Sequence, residues 1–252
     1  MIPKIIHQTW KNTTIPEEFA GYQKKLIELH PDWEYRLWTD EQNLEFVKQH
    51  FANFYEVFIR LPKNIMRADV IRYLIMYKIG GLYLDLDYEM IKPFDLLNFD
   101  LVLPYNRQIK YGDRYDGIGN CIFASAPGHK FWEYIIDDLK NTKDYEAKFK
   151  SLSGKPYVPK NTTLEEAITG PAFVTKIFYS VKDELQNYTL PDREAFHPPY
   201  NTNYNTILTS KASYGIHHCH GTWRSKSYIK KMGKLIKSIL PGVRTSVLNP
   251  QV

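Results

Sequence analysis

"IGGLYLDLDYE", Ile79 to Glu89, sets two aspartates two residues apart in a run that otherwise reads as a buried strand. Burying one carboxylate is costly, and burying two side by side costs more. Side chains at i and i+2 of a strand share a face. Tyr83, Asp85, Asp87 and Glu89 are therefore expected on one side, and Leu82, Leu84, Leu86 and Tyr88 on the other. A rise of about 3.3 Å per residue would hold the two carboxylates roughly 7 Å apart. At the carboxyl edge of an open α/β sheet they would face the crevice where ligands bind. Such a pair suits Mg2+ or Mn2+, which takes few protein oxygens and completes its shell with water and phosphate. A calcium loop would need glycine at its sixth position, where this chain has Met90. A glycosidase draws its two carboxylates from different elements. The bland alternative is an edge strand carrying solvated acids.

The preceding segment weighs against that alternative. "PKNIMRADVIRYLIMYKIGG" reads as a helix, with Pro62 where helices start and Gly80–Gly81 where they stop. Asp69, Arg72 and Tyr73 share one of its faces at i, i+3 and i+4, amid Ile65, Met66, Val70 and Met76. A charged pair in so apolar a helix is a buried salt bridge or part of a site. The two glycines lead from it straight into the acidic strand.

Further out, "PKIIHQTW" reads as a first strand, Pro16–His30 as a helix, "WEYRLWTD" as a strand and "DEQNLEFVKQHF" as a short helix. "LVLPY" and "GIGNCIFASAPGH" follow as strands, and "KFWEYIIDDLK" as a helix. Residues 143–163 are polar and read as an irregular excursion. "TLEEAITGPAFVTKIFYSVKDEL" is helical on both sides of Gly170–Pro171, and "YGIHHCH" is a late strand. This order predicts a layered α/β sheet.

The 252 residues, 43% apolar and 15% aromatic, suffice for a sizeable core and exclude a disordered chain. Two cysteines, Cys121 and Cys219, are too few for a disulfide framework and read as thiols in a reducing compartment. "MIPKIIHQTW" lacks a signal-peptide pattern, and no run reaches ~18 apolar residues. The expectation is a cytoplasmic chain. Its net charge of +5 is uneven: residues 1–210 hold 25 basic and 28 acidic residues, and residues 211–252 hold eight basic and no acidic ones. The tail "SKSYIKKMGKLIKSIL" reads as a basic amphipathic helix suited to an anionic membrane surface. Domains are thus expected at 1–225, the catalytic body, and 226–252, the tail. No nucleic-acid recognition motif accompanies the basic run.

"IPKIIHQTWK", "RADVIRYLIMYKIGGLYLDLD" and "HHCHGTW", in this order, resemble glycosyltransferase family 32. The resemblance runs from Ile2 to Trp223; residues 145–164 carry no matching motif. It implies a GT-A fold, a Rossmann-like α/β/α sandwich with a mostly parallel central sheet. It implies a metal-dependent retaining transferase that moves a hexose from a nucleoside diphosphate sugar to a glycan or glycolipid hydroxyl, as in polysaccharide or capsule biosynthesis. Mn2+ or Mg2+ would be the cofactor. UDP-galactose or UDP-glucose is favoured as donor, with GDP-mannose open. The acceptor would be a glycan or lipid-linked glycan, met at the inner face of a membrane.

Residue by residue, the resemblance makes Asp87 a direct metal ligand and Asp85 a ligand facing ribose and metal. It sets Asp69 and Arg72 against the donor sugar and Tyr83 in the nucleotide pocket. His7, Gln8, Thr9 and Trp10 would pack on base and ribose. Asn120 and Gly170 would line the sugar and acceptor side. In "HHCHGTW" the spacing to Gly221 and Trp223 favours His218 as the late metal ligand, with His220 next; on one strand these two share a face, opposite His217 and Cys219. Two other classes stay in view: a non-catalytic nucleotide-sugar or glycan-binding module, and a nucleotide-sugar hydrolase.

Overall fold

The computed structural model describes residues 1–111, 115–155, 158, 161–198 and 202–221. Its strands are β1 (Ile5–Thr9), β2 (Glu34–Trp38), β3 (Gly81–Leu84), β4 (Tyr88–Met90), β5 (Leu101–Val102), β6 (Tyr105–Tyr111), β7 (Tyr115–Ile118), β8 (Ile122–Ser125), β9 (Tyr188–Thr189) and β10 (Gly215–His217). Six of them form the central sheet, in the order β2-β1-β3-β8-β5-β9. The pairs β1–β2, β1–β3 and β5–β9 are parallel, while β8 runs antiparallel to both of its neighbours. The expected α/β fold with a mostly parallel central sheet is the observed one.

Period-2 alternation divides two cores between the faces of this sheet. Tyr83, Leu101 and Phe123 enter one core, with the helices Asn64–Lys78, Lys130–Asn141 and Pro171–Val181. Leu82, Leu84, Val102, Ile122 and Ala124 enter the other, with Leu26, Phe196 and Tyr214. The expected split between Tyr83 and its leucine neighbours is therefore present. Helix Asn64–Lys78 is buried almost all round, from Met66 to Met76.

The helix ends at Gly80 and Gly81, both at positive φ (71° and 105°). A Cβ on Gly80 would stand 2.6 Å from the Ser125 carbonyl, and one on Gly81 2.4 Å from the Ile5 carbonyl. Only glycine fits a left-handed corner packed this closely.

Three expectations change. The acidic strand is not continuous: β3 stops at Leu84, and residues 85–87 form a turn in which the Tyr88 N–H donates to the Asp85 carbonyl at 3.0 Å. Residues 143–163 are not wholly irregular, because Tyr145–Leu152 is a helix capped by Asp144, whose carboxylate accepts from the Ala147 N–H at 2.9 Å. The late strand ends at His217 instead of running through His220. β6 and β7 form an antiparallel hairpin absent from the sequence reading.

The chain divides into Met1–His217 and His218–Val252. The expected boundary at 225/226, the basic tail and Trp223 lie outside the described residues. Among the described residues no helix is long and apolar enough to cross a membrane.

Candidate active site: a carboxylate turn backed by a buried arginine

Arg72 is the hub. Its place on the buried helix leaves it 4% exposed, so every donor must find a partner inside. Nε donates to the Ala68 carbonyl at 3.0 Å. Nη1 donates to Asp85 Oδ1 at 3.0 Å and to the Asn120 carbonyl at 2.6 Å. Nη2 lies 3.3 Å from Asp69 Oδ1, and the guanidinium sits 4.8 Å over the Tyr83 ring. Burial works against this charge, but Asp85 and then Tyr83 and Asp69 outweigh it and hold the group protonated.

Asp69 is enclosed in the same way. Asn120 Nδ2 donates to its Oδ1 at 2.9 Å and Thr169 Oγ1 to its Oδ2 at 3.0 Å. Burial pushes its carboxyl up to about 6, against the pull of Arg72. Thr169 was missed by the sequence reading, which singled out its neighbour Gly170. That glycine caps the helix Pro171–Val181, where a Cβ would stand 2.9 Å from Glu166 Cα. Its close packing sets Thr169 against Asp69.

Asp69 and Arg72 were expected to touch a donor sugar. As they stand, both are closed to solvent and engaged with protein groups, and Arg72 holds Asp85. Tyr83 joins them rather than an open pocket. It is fully buried, its hydroxyl donates to Asp85 Oδ1 at 2.8 Å, and Thr9 Oγ1 lies 3.1 Å away.

The first strand supports the turn from the other side. The Trp38 indole donates to His7 Nδ1 at 3.0 Å; an indole N–H only donates, so His7 Nε2 carries the proton and donates to the Gly80 carbonyl at 2.9 Å. Burial lowers the His7 pKa to about 4, so the ring is neutral. Gln8 Nε2 donates to the Asp85 carbonyl at 3.2 Å, and its Oε1 accepts from Tyr35. His7 and Gln8 therefore brace the glycine corner and the turn. Thr9 and Trp10 are half-buried; Trp10 packs edge-on against Phe19, with a buried indole N–H that meets no acceptor among the described residues.

The turn brings Asp85 and Asp87 closer than a strand would. One carboxylate oxygen of each and one His217 ring nitrogen all lie within 4.8 Å of one another. His217 Nε2 is 3.2 Å from Asp87 Oδ1 and 4.0 Å from Asp85 Oδ2. The register explains this: β10 pairs with β4 so that His217 lies opposite Tyr88, one residue past the turn, and its ring stacks on Tyr88. Burial raises the Asp85 carboxyl, Arg72 opposes this, and the nearby Asp87 adds to it. His217 was not among the ligands expected from the sequence. His218 and His220 belong to the second unit, where their rings lie 6.1 Å apart. Glu89 departs from the expected shared face: buried, it accepts from Lys25 at 3.0 Å and Tyr204 at 2.8 Å.

The donor set is hard and anionic: two carboxylates and one imidazole. Arg72 and Tyr83 occupy Asp85 Oδ1, and Oδ2 is the oxygen turned toward His217. These groups fit a divalent cation of the Mg2+ or Mn2+ type.

The sequence profile described as "Glycosyltransferase sugar-binding region containing DXD motif" matches residues 16–106. The matched stretch contains Asp69, Arg72 and the whole carboxylate turn. Inositol phosphoceramide mannosyltransferase 2 of Schizosaccharomyces pombe is 38% identical over 188 residues, 74% of this chain and 49% of that protein. Mannosyl phosphorylinositol ceramide synthase SUR1 of Saccharomyces cerevisiae is 36% identical over 72% of this chain and 43% of its own length. The chain spans about half the length of these curated relatives. The solved PaToxG glycosyltransferase superposes with a TM-score of 0.48 and 17% identity, over 71% of this chain and 69% of that one.

Proposed function

We propose that the chain is a metal-dependent retaining mannosyltransferase, moving mannose from a nucleoside diphosphate donor to a hydroxyl of an inositol-phosphate lipid or glycan. The cluster of Asp85, Asp87 and His217 beside a buried arginine carries this reading. The mannosyl relatives direct it to mannose, and GDP-mannose replaces the UDP-hexoses favoured from the sequence. Inositol phosphoceramide, in the name of one relative, suggests the acceptor class.

Asp85 Oδ2, Asp87 and His217 would hold the cation. Bound there, it supplies Lewis acidity for the departing diphosphate. Arg72, fixed by Asp69 and Asn120, holds Asp85 Oδ1 so that the other oxygen keeps its aim. Tyr83 supports the same oxygen. In the proposed step the bond from the sugar to the diphosphate oxygen breaks and one to the acceptor oxygen forms on the same face. The acceptor proton passes to the departing phosphate oxygen.

The test incubates the full chain with Mn2+ or Mg2+ and GDP-mannose, UDP-galactose or UDP-glucose, with and without inositol phosphoceramide vesicles. The expected result is acceptor- and metal-dependent release of GDP. Use of a UDP-hexose instead would overturn the mannose assignment. Release without acceptor would favour a hydrolase, and binding without release from any donor a sugar-nucleotide-binding module.

A further inference from the structure

His217 faces a second group of donors. Cys121 Sγ lies 3.9 Å from His197 Nε2, and the ligand atoms of Cys121, His197 and His217 lie within 4.8 Å of one another. Three separate elements supply them. Cys121 precedes β8, His197 caps the short helix Arg193–Phe196, and His217 ends β10. The sites predicted from sequence included neither Cys121 nor His197.

The chemistry differs from that of the carboxylate turn. A thiol and two imidazoles are a soft set, of the kind that binds Zn2+. Zinc–sulfur bonds of about 2.3 Å and zinc–nitrogen bonds of about 2.0–2.1 Å, in a tetrahedron, put sulfur and nitrogen roughly 3.5 Å apart. The observed 3.9 Å needs only a small contraction. Cys121 and His197 are 3% and 7% exposed, so the set is nearly dry. Its surroundings shape it: a Cβ on Gly119 would stand 2.8 Å from His197 Nε2, and that glycine leaves room for the ring. Tyr88 stacks on His217 and meets His197 edge-on.

We propose that Cys121, His197 and His217 form a soft-metal site for a Zn2+-class cation, and that filling it withdraws His217 from the Asp85–Asp87 set. Binding replaces the Cys121 thiol proton with the metal, and the proton leaves to solvent. The site itself needs nothing from the transfer reaction; its inhibitory effect on the carboxylate turn rests on the function proposed above. Zn2+ would then inhibit where Mn2+ or Mg2+ supports turnover.

Co2+ added to the reduced full chain is the probe, read by its thiolate charge-transfer absorption and by equilibrium dialysis. We expect one Co2+ with a thiolate band, displaced by stoichiometric Zn2+. The band should vanish in Cys121→Ala, weaken at least about tenfold in affinity in His197→Gln, and persist in Cys219→Ala and Asp87→Asn. Because the chain has two cysteines, Cys219→Ala identifies the thiolate even where Cys121→Ala fails to fold. Absence of a band in the wild type, or a band lost with Cys219, overturns the site. Persistence in Asp87→Asn keeps this result separate from the fate of the transferase reading.

Discussion

Asp85 and Asp87 stand on either side of one leucine, yet the protein holds them in different ways. Asp85 is tied from within: Arg72 and Tyr83 donate to one of its oxygens, and Gln8 holds its backbone carbonyl. Asp87 lies at the outer end of the turn against His217, which arrives from a strand 130 residues later. The inner half is a lattice built on one buried cation, and the outer half is a cluster that a ligand can complete. The contrast teaches that a pair of carboxylates is affordable in an apolar setting when one is compensated internally and the other is left to the site.

Removing the cation should break the inner half most severely. Arg72→Met keeps bulk but leaves Asp69 buried and Asp85 half-buried without their partner, which costs about 3–5 kcal/mol. For a chain this long that is a fall of roughly 10 °C in melting temperature. Because Asp85 loses its support, the metal concentration for half-maximal turnover should rise as well. A thermal melt with a Mn2+ titration reads both, and an unchanged melt would refute the lattice.

Asp87→Ala attacks the other half. Loss of a metal ligand should remove several kcal/mol of transition-state stabilisation, at least about 10²–10³ in turnover. The melting profile should stay near the wild type, since Asp87 faces the His217 ring at the outer end of the turn. Unchanged activity would sink the proposed site. If Asp87→Ala instead melted as early as Arg72→Met, the two halves would not be distinct.

The sequence made the inner half more legible than the outer. Asp69, Arg72 and Tyr83 followed from helical and strand spacing, because a regular helix and strand do hold them. The turn was hidden because Leu82, Leu84, Leu86 and Tyr88 are all buried, so apolar alternation continues across a break in the strand. His217 went unnoticed for a related reason. The shared face expected for His218 and His220 assumes a strand through His220, but β10 ends at His217 and Cys219 takes a φ of 52°. Which histidine reaches the carboxylates depends on the register of β10 against β4, a long-range pairing that local spacing does not encode. Thr169, 100 residues from Asp69, was invisible for the same reason. The β6–β7 hairpin lay in "YNRQIKYGDRYDGI", too polar to present a strand pattern.

Asp69 provides a pH test of the inner half. Its carboxyl is raised to about 6 in the fold from an ordinary value near 3.8. The folded protein therefore binds the proton more tightly than the unfolded chain does. The associated stability is fully present below about pH 4 and is lost as pH rises through 6, up to about 3 kcal/mol. Asp69→Asn should lack this slope, so the difference between wild-type and variant urea midpoints should change between pH 4 and 6 and be flat above. A constant difference would mean that Asp69 is ionised throughout.

The smallest effect belongs to Tyr83→Phe, which tests whether the inner half aims Asp85 or only packs beneath it. Phenylalanine keeps a ring under the Arg72 guanidinium and against Phe123, 5.3 Å away, while deleting the hydroxyl that donates to Asp85 Oδ1. One lost hydrogen bond to a carboxylate costs about 1–2 kcal/mol. Tyr83 is among the groups that lower the Asp85 pKa, so its loss should move the acid limb of the turnover profile to higher pH. It should also raise the metal requirement, because Arg72 alone would then fix that oxygen. A side chain that merely packs would lower the melting temperature and leave both the acid limb and the metal titration where they were.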